Sequence, residues 1–359
     1  TRSNPTQAGF DYPQEAICAA LARPAACIYR PDPKGMREAR EAVCAHYAER
    51  DRAIDPESVL LTSSTSEAYA YLLKLLCDPG DAVLTPSPGY PLLDYLALLE
   101  HVDTVRYPLG NPFASRAEVP AEWPIDFAAL RRVVSPRARA LALVQPNNPT
   151  GNVITAGEAK QGVVFAEENG LSIIVDEVFS DYCFADTSVC PVASQGPLVF
   201  TLDGLSKSLG LPQLKLSWIV IEGAPDHVAQ AREALEIIAD TYLSVNTPVQ
   251  VALPQLLGLR DGIQAQIRAR LAANLDTART CLASQTRVES RCPQGGWYMV
   301  LRVDTEEDDE ALALRLLETY GVYTHLGGLF GFEADCYLVV SLLTPEHEFR
   351  RGLDTIVRA

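Results

Sequence analysis

Gln145-Pro146-Asn147-Asn148-Pro149-Thr150-Gly151 follows the apolar run 140–144, and the reading of that junction decides the fold. A short apolar run ending in turn formers reads as a buried strand and its exit loop. The same pairing recurs twice downstream. The run 171–175 ends at Asp176-Glu177, and the run 198–202 leads through Gly204-Leu205 to Ser206-Lys207. Helical patterns at 126–134 and 158–169 feed the first two runs. Strands alternating with helices predict an α/β protein whose large domain has a mostly parallel sheet covered by helices. Ligands of such sheets bind outside the carboxyl ends of the strands. Asn148, Asp176 and Lys207 all fall just past such ends.

Working upstream, Met36, Ala39, Val43 and Tyr47 share one face of a helix over 35–50. Ser64-Thr65-Ser66-Glu67 predicts a capping box that opens an apolar helix through Leu76. A turn at Pro79-Gly80-Asp81 leads to a strand at 82–85 and the loop Pro86-Ser87-Pro88-Gly89-Tyr90-Pro91. Downstream, a long helix over 263–282 precedes strands at 300–303 and 337–342 and helices at 309–320 and 346–358. This pattern predicts a smaller second α/β domain. The expected division is an N-terminal arm and part of the small domain at 1–35, a large domain at 36–262 and the small domain at 263–359.

Composition narrows the function. The 359 residues are 48% hydrophobic and 21% charged, as expected of a soluble protein with a sizeable core. A formal net charge of −16 argues against nucleic acid or an anionic membrane as partner, since both select cationic surfaces. No apolar stretch is long enough to span a bilayer, and the polar opening segment does not read as a signal peptide. Nine scattered cysteines without a C-x-x-C pair fit a reduced, cytoplasmic protein rather than a disulfide framework or a metal cluster. Lysine is confined to positions 34, 74, 160, 207 and 215, which leaves five amines for any imine chemistry.

Lys207 follows a strand and a turn in apolar surroundings, which favour the neutral, nucleophilic amine. A surface lysine at a helix start is the plainer alternative. Asp176 closes five apolar residues, and a buried carboxylate needs a cation or donors to stay ionised. A protonated pyridine nitrogen is such a partner; a helix N-cap is the alternative. Asn148 offers an amide to a ring oxygen, although Asn147–Gly151 also reads as an ordinary turn. The helix start at Ser64–Glu67 presents free N–H groups that suit a phosphate, or simply caps a helix. Tyr90 suits stacking on a flat ring, or packing. Together these groups describe a pocket for pyridoxal phosphate, in which the protein aims the cofactor.

The ordered set resembles the class I/II aminotransferases of PLP fold type I, the aspartate aminotransferase superfamily, over nearly the whole chain. The resemblance implies that Lys207 forms the imine with the cofactor and that Asp176 pairs with the pyridine nitrogen. It implies that Asn148 bonds the ring oxygen and Tyr90 stacks on the ring. Thr65 and Ser66 would hold the phosphate, next to Ser206 and Lys215. Tyr29 would reach the phosphate of a neighbouring subunit in a homodimer with shared sites, and Asn4 would close over the substrate.

Four departures stand out. Lys215 replaces the family arginine eight residues after the lysine, a point charge in place of a fork. Gly204 replaces a serine three residues before it. Phe179 replaces a tyrosine, which removes a bond to the ring oxygen, and Tyr182 is no obvious substitute. The stretch 337–342 lacks the arginine that grips the substrate carboxylate; Arg302 is a weak substitute, and Arg350 and Arg351 read as surface residues. The expected activity is transfer of an amino group between an amino acid or amine and a keto acid. A PLP lyase or cyclase on the same scaffold is the alternative, and a non-catalytic PLP-binding regulator a more distant one.

Overall fold

Strand runs that are apolar at every position need cover on both faces, and the larger sheet has it. The computed structural model describes residues 2–113, 123–184, 187–193, 195–333 and 336–359. Seven strands make this sheet: β1 (Val59–Thr62), β2 (Ala82–Ser87), β3 (Asp103–Pro108), β4 (Ala138–Val144), β5 (Ser172–Asp176), β6 (Val199–Gly204) and β7 (Ser217–Glu222). Their order is β1-β7-β6-β5-β4-β2-β3. Strands β3, β2, β4, β5 and β6 run parallel, and β7 is antiparallel to both of its neighbours.

Side chains alternate between the two faces, as the pleat requires. Ala140, Ala142, Ile174, Phe200 and Leu202 pack with Leu72 of helix Thr65–Leu76 and Leu235 of helix Pro225–Tyr242. Leu141, Leu143, Ile173 and Val175 pack on the other face with Phe165 and Ala166 of helix Ala156–Asn169. Each Leu, Ile or Phe buried this way contributes roughly 1.5–3 kcal/mol.

The second sheet holds β8 (Val288–Ser290), β9 (Tyr298–Val303), β10 (His325–Leu326) and β11 (Cys336–Ser341) in the order β10-β11-β9-β8, antiparallel throughout. Its core takes Ile267 and Leu271 from helix Arg260–Leu282 and Leu353 and Ile356 from helix Glu346–Arg358. The N-terminal segment is shared. Ala8, with Phe10 and Tyr12 against it, joins this core, whereas Ile17 and Ala20 pack with Val43, Tyr47 and Leu253 beside the larger sheet.

Several boundaries differ from expectation. The helix expected over 35–50 is Arg37–Ala48. The one expected to start at 263 starts at Arg260, directly after helix Thr247–Gly258. At the 64–67 start, Ser64 Oγ accepts the Glu67 N–H at 3.1 Å, but the Glu67 carboxylate accepts from Ser63 N–H at 2.6 Å, one residue earlier than in a capping box. The reciprocal box lies at Thr155 and Glu158.

Candidate active site

The ends of β4, β5 and β6 open onto one cavity of about 270 Å³. Asn148, Asp176 and Lys207 are in its wall, as the strand-end reading expected. Thr65, Ser66, Tyr90, Ser206 and Lys215 are in the same wall. Tyr29 and Asn4 are not. Tyr29 is 73% exposed. Asn4 is exposed and caps the short turn Pro5–Gln7, its Oδ1 accepting from Thr6 N–H at 3.0 Å and Thr6 Oγ1 at 2.7 Å. A second hollow of about 440 Å³ beside Trp123 has carboxylates too. There Asp126 and Glu158 are occupied with backbone N–H groups, so both carboxylates are already engaged.

Lys207 lies in the one-turn helix Leu205–Ser208 that follows β6. Its Nζ is 5.2 Å from the Trp297 ring centroid and 5.6 Å from that of Phe179. Burial against these rings lowers its pKa, and the Asp176 carboxylate opposes that effect. The backbone beneath it is pinned by Tyr182, whose Oη donates to the carbonyls of Lys207 at 2.9 Å and Ser208 at 3.1 Å. Tyr182 therefore does not replace the hydroxyl missing at Phe179; it positions the lysine turn from behind.

Asp176 and Glu177 diverge because neighbouring residues leave a strand on opposite sides. Asp176 faces the cavity, accepting from Tyr69 Oη at 3.0 Å and from Val178 N–H at 3.2 Å. Burial raises its pKa, while those two donors and Lys207 pull it down. Glu177 is turned into the protein, bonded by Gln145 Nε2 at 3.0 Å and paired with Arg52 at 3.5 Å. Tyr69 escaped the sequence reading because a tyrosine on an apolar helix face reads as core.

The deciding stretch is a rigid clasp. Asn147 Nδ2 donates to the Pro88 carbonyl at 3.0 Å and to Thr150 Oγ1 at 2.7 Å, which joins it to the Tyr90 loop. Gly151 has φ +72°, and its carbonyl accepts the N–H groups of Gln294 and Gly295 from the second unit. A Cβ there would lie 2.6 Å from the Gly295 carbonyl oxygen, so only glycine fits. Asn148 is held between these contacts with its side-chain oxygen buried and unpartnered among the described residues.

The departures from the family pattern also have structural reasons. Gly204 pairs in register with Ser217 of β7, and a Cβ on Gly204 would come within 2.8 Å of Ser217 Cα and overlap its hydroxyl. Ser217 thus excludes any side chain at 204. Lys215 adopts a left-handed conformation, φ +54° and ψ +60°, at a cost on the order of 1 kcal/mol. In that conformation it stands in the cavity wall with Ser64, Thr65 and Ser66.

The donor set fits pyridoxal phosphate. Asn148 is at the wall, where its Nδ2 can donate to a ring oxygen, and the Asp176 carboxylate has two donors and, among the described residues, no ion-pair partner within salt-bridge distance. The first turn of helix Thr65–Leu76 presents N–H groups that have no partner within the helix. With Ser206 and Lys215 it suits a phosphate.

Comparisons with known proteins agree. The family model described as aminotransferase class I and II matches residues 11–355. The chain is 30% identical over 364 residues to the alanine aminotransferase of Mycobacterium bovis, covering 98% of this chain and 83% of that protein. It is 28% identical over 350 residues to the glutamate-pyruvate aminotransferase AlaA of Escherichia coli K12, covering 94% and 84%. An Escherichia coli aminotransferase structure superposes with a TM-score of 0.88 at 26% identity, covering 99% of this chain and 88% of that one.

Proposed function

The chain belongs to the class I and II aminotransferase family, and we propose that Lys207 is the amine through which it carries pyridoxal phosphate. It is a PLP-dependent transaminase of fold type I that moves an amino group between an amino donor and a keto acid. When bound, the cofactor supplies an aldehyde that condenses with amines and a ring that withdraws electrons from the substrate Cα. The observation that carries the assignment is the convergence of Asn148, Asp176 and Lys207 on one cavity.

Each residue has a part. Asp176, oriented by Tyr69, holds the proton on the pyridine nitrogen. Asn148 bonds the ring oxygen, and Tyr90 covers the ring face. Thr65, Ser66, Ser206 and Lys215 neutralise the phosphate. Lys207 would take the substrate Cα proton on Nζ and return it as a general acid, and its burial favours the uncharged amine that this needs. Phe179 and Trp297 keep that amine in a dry, apolar setting.

The relatives' names point to an α-amino acid and a 2-oxo acid as the substrate pair. Exposed Tyr29 supports a homodimer in which each copy lends that residue to the other's phosphate, and Asn4 lies in the arm that would close over the substrate. The cysteine usage supports a cytoplasmic location, and among the described residues no helix is long and apolar enough to cross a membrane.

Lys207→Ala tests the assignment. The variant loses the near-visible absorbance of the lysine–cofactor linkage and all turnover, whereas turnover at the wild-type rate would overturn the role. An amino donor alone converts the wild-type cofactor to its amine form; a lyase would instead release product and return to its starting spectrum.

A further inference from the structure

We propose that Arg106 receives the substrate carboxylate, so that the grip comes from the edge of the larger sheet rather than from the second unit. The inference rests on the transaminase reading above. The strand from which the carboxylate arginine was expected is β11, and its Tyr337, Leu338, Val339 and Val340 are buried. Arg302 on neighbouring β9 pairs with Glu289 at 3.6 Å and is outside the cavity wall. Arg350 and Arg351 are exposed on the last helix, also outside it.

Among the described residues the cavity wall holds three cations: Lys207, Lys215 and Arg106. The first two serve the cofactor, which leaves Arg106 for an anionic substrate. It projects from β3 and is paired through Nη2 with Asp94, also in the wall. Among the described residues Nε and Nη1 have no such partner, so the guanidinium keeps N–H donors beyond its bond to Asp94. Those donors suit a carboxylate.

The second unit is shaped around this guanidinium. Gly331 has φ +85°, and a Cβ on it would overlap Nη1 of Arg106 and lie 2.9 Å from Ser87 Oγ. Ser87 Oγ donates to the Gly331 carbonyl at 3.2 Å, and Gly89 N–H donates to the Phe330 carbonyl at 2.9 Å. The arginine is therefore seated where the Tyr90 loop meets the 328–331 turn, beside the ring expected to cover the cofactor. Its side chain is 38% exposed. A pair this open is weak, so Asp94 orients the guanidinium without blocking a stronger ligand.

The test titrates holoenzyme with L-alanine and with ethylamine, an amine without a carboxylate, following the cofactor spectrum. Arg106→Gln raises the half-saturating alanine concentration at least about tenfold, or about 1.4 kcal/mol, and leaves ethylamine unchanged. Asp94→Asn, which keeps the guanidinium, binds alanine as tightly as wild type or more so. Calorimetry with propionate reads the same site without turnover: wild type binds, and Arg106→Gln binds at least about tenfold more weakly. Equal losses in both variants would make the pair a structural tie and overturn the proposal, as would unchanged propionate binding in Arg106→Gln. If amino donors leave the wild-type spectrum unchanged, the transaminase reading fails by itself, while propionate still decides Arg106.

Discussion

At Asp176, two demands on one carboxylate pull in opposite directions. Burial favours the protonated form, whereas the proposed pairing with a cationic cofactor ring needs the ionised one. Tyr69 Oη and the Val178 N–H hold the charge in place. The folded pKa is raised above the ordinary value of about 3.9. The folded apoprotein therefore binds that proton more tightly than the unfolded chain does. The contribution of this group to stability is fully present below the ordinary carboxylate pKa and is lost as pH rises through the folded value. Near neutral pH the raised value makes this group a cost to the apoprotein. Asp176→Asn removes that cost, so its apoprotein should melt at or above the wild-type temperature near pH 7. Its affinity for pyridoxal phosphate should fall roughly 10- to 100-fold, the worth of a hydrogen bond to a charged group. Thermal melts and cofactor titration check the two halves. A variant that loses stability and keeps affinity would make Asp176 a structural residue.

Between β6 and β7, the absence of one side chain is required by the presence of another. Gly204 and Ser217 face each other in register, and there is room for one Cβ between them. Gly204→Ser alone should cost about 1–3 kcal/mol, as overpacking does. Ser217→Gly in the same chain should recover most of the loss, with a coupling of about 0.5–3 kcal/mol between the two sites. Urea midpoints of the two single variants and the double variant measure it, and additive losses would contradict the register contact. The sequence showed Gly204 only as a departure from a family pattern. Its cause lies on a neighbouring antiparallel strand that local periodicity did not reveal.

For the molecule as a whole, the cavity is a product of both sheets. β4, β5 and β6 deliver Asn148, Asp176 and Lys207 to it, and the clasp from Gly151 to Gln294 and Gly295 holds the second unit against them. In the proposed dimer a second copy completes the site through Tyr29. Sedimentation should then report twice the chain mass. Tyr29→Ala should keep that mass while weakening pyridoxal phosphate binding about tenfold, within the range for a hydrogen bond to a charged group. A fully active monomer would contradict the arrangement. The fold class and most of the cavity wall were legible in the sequence, because a parallel sheet presents its ligand-facing groups at strand exits and turn residues mark those exits. Asn148, Asp176 and Lys207 could be read from local order alone. Tyr69, Tyr182, Trp297, Ser217 and Arg106 could not. Each meets its partner only through strand pairing or packing, and on its own stretch it looks like core or surface. Only the tertiary structure decided which of them meet, because strand pairing and the packing of the second unit set those distances, and neither leaves a local pattern.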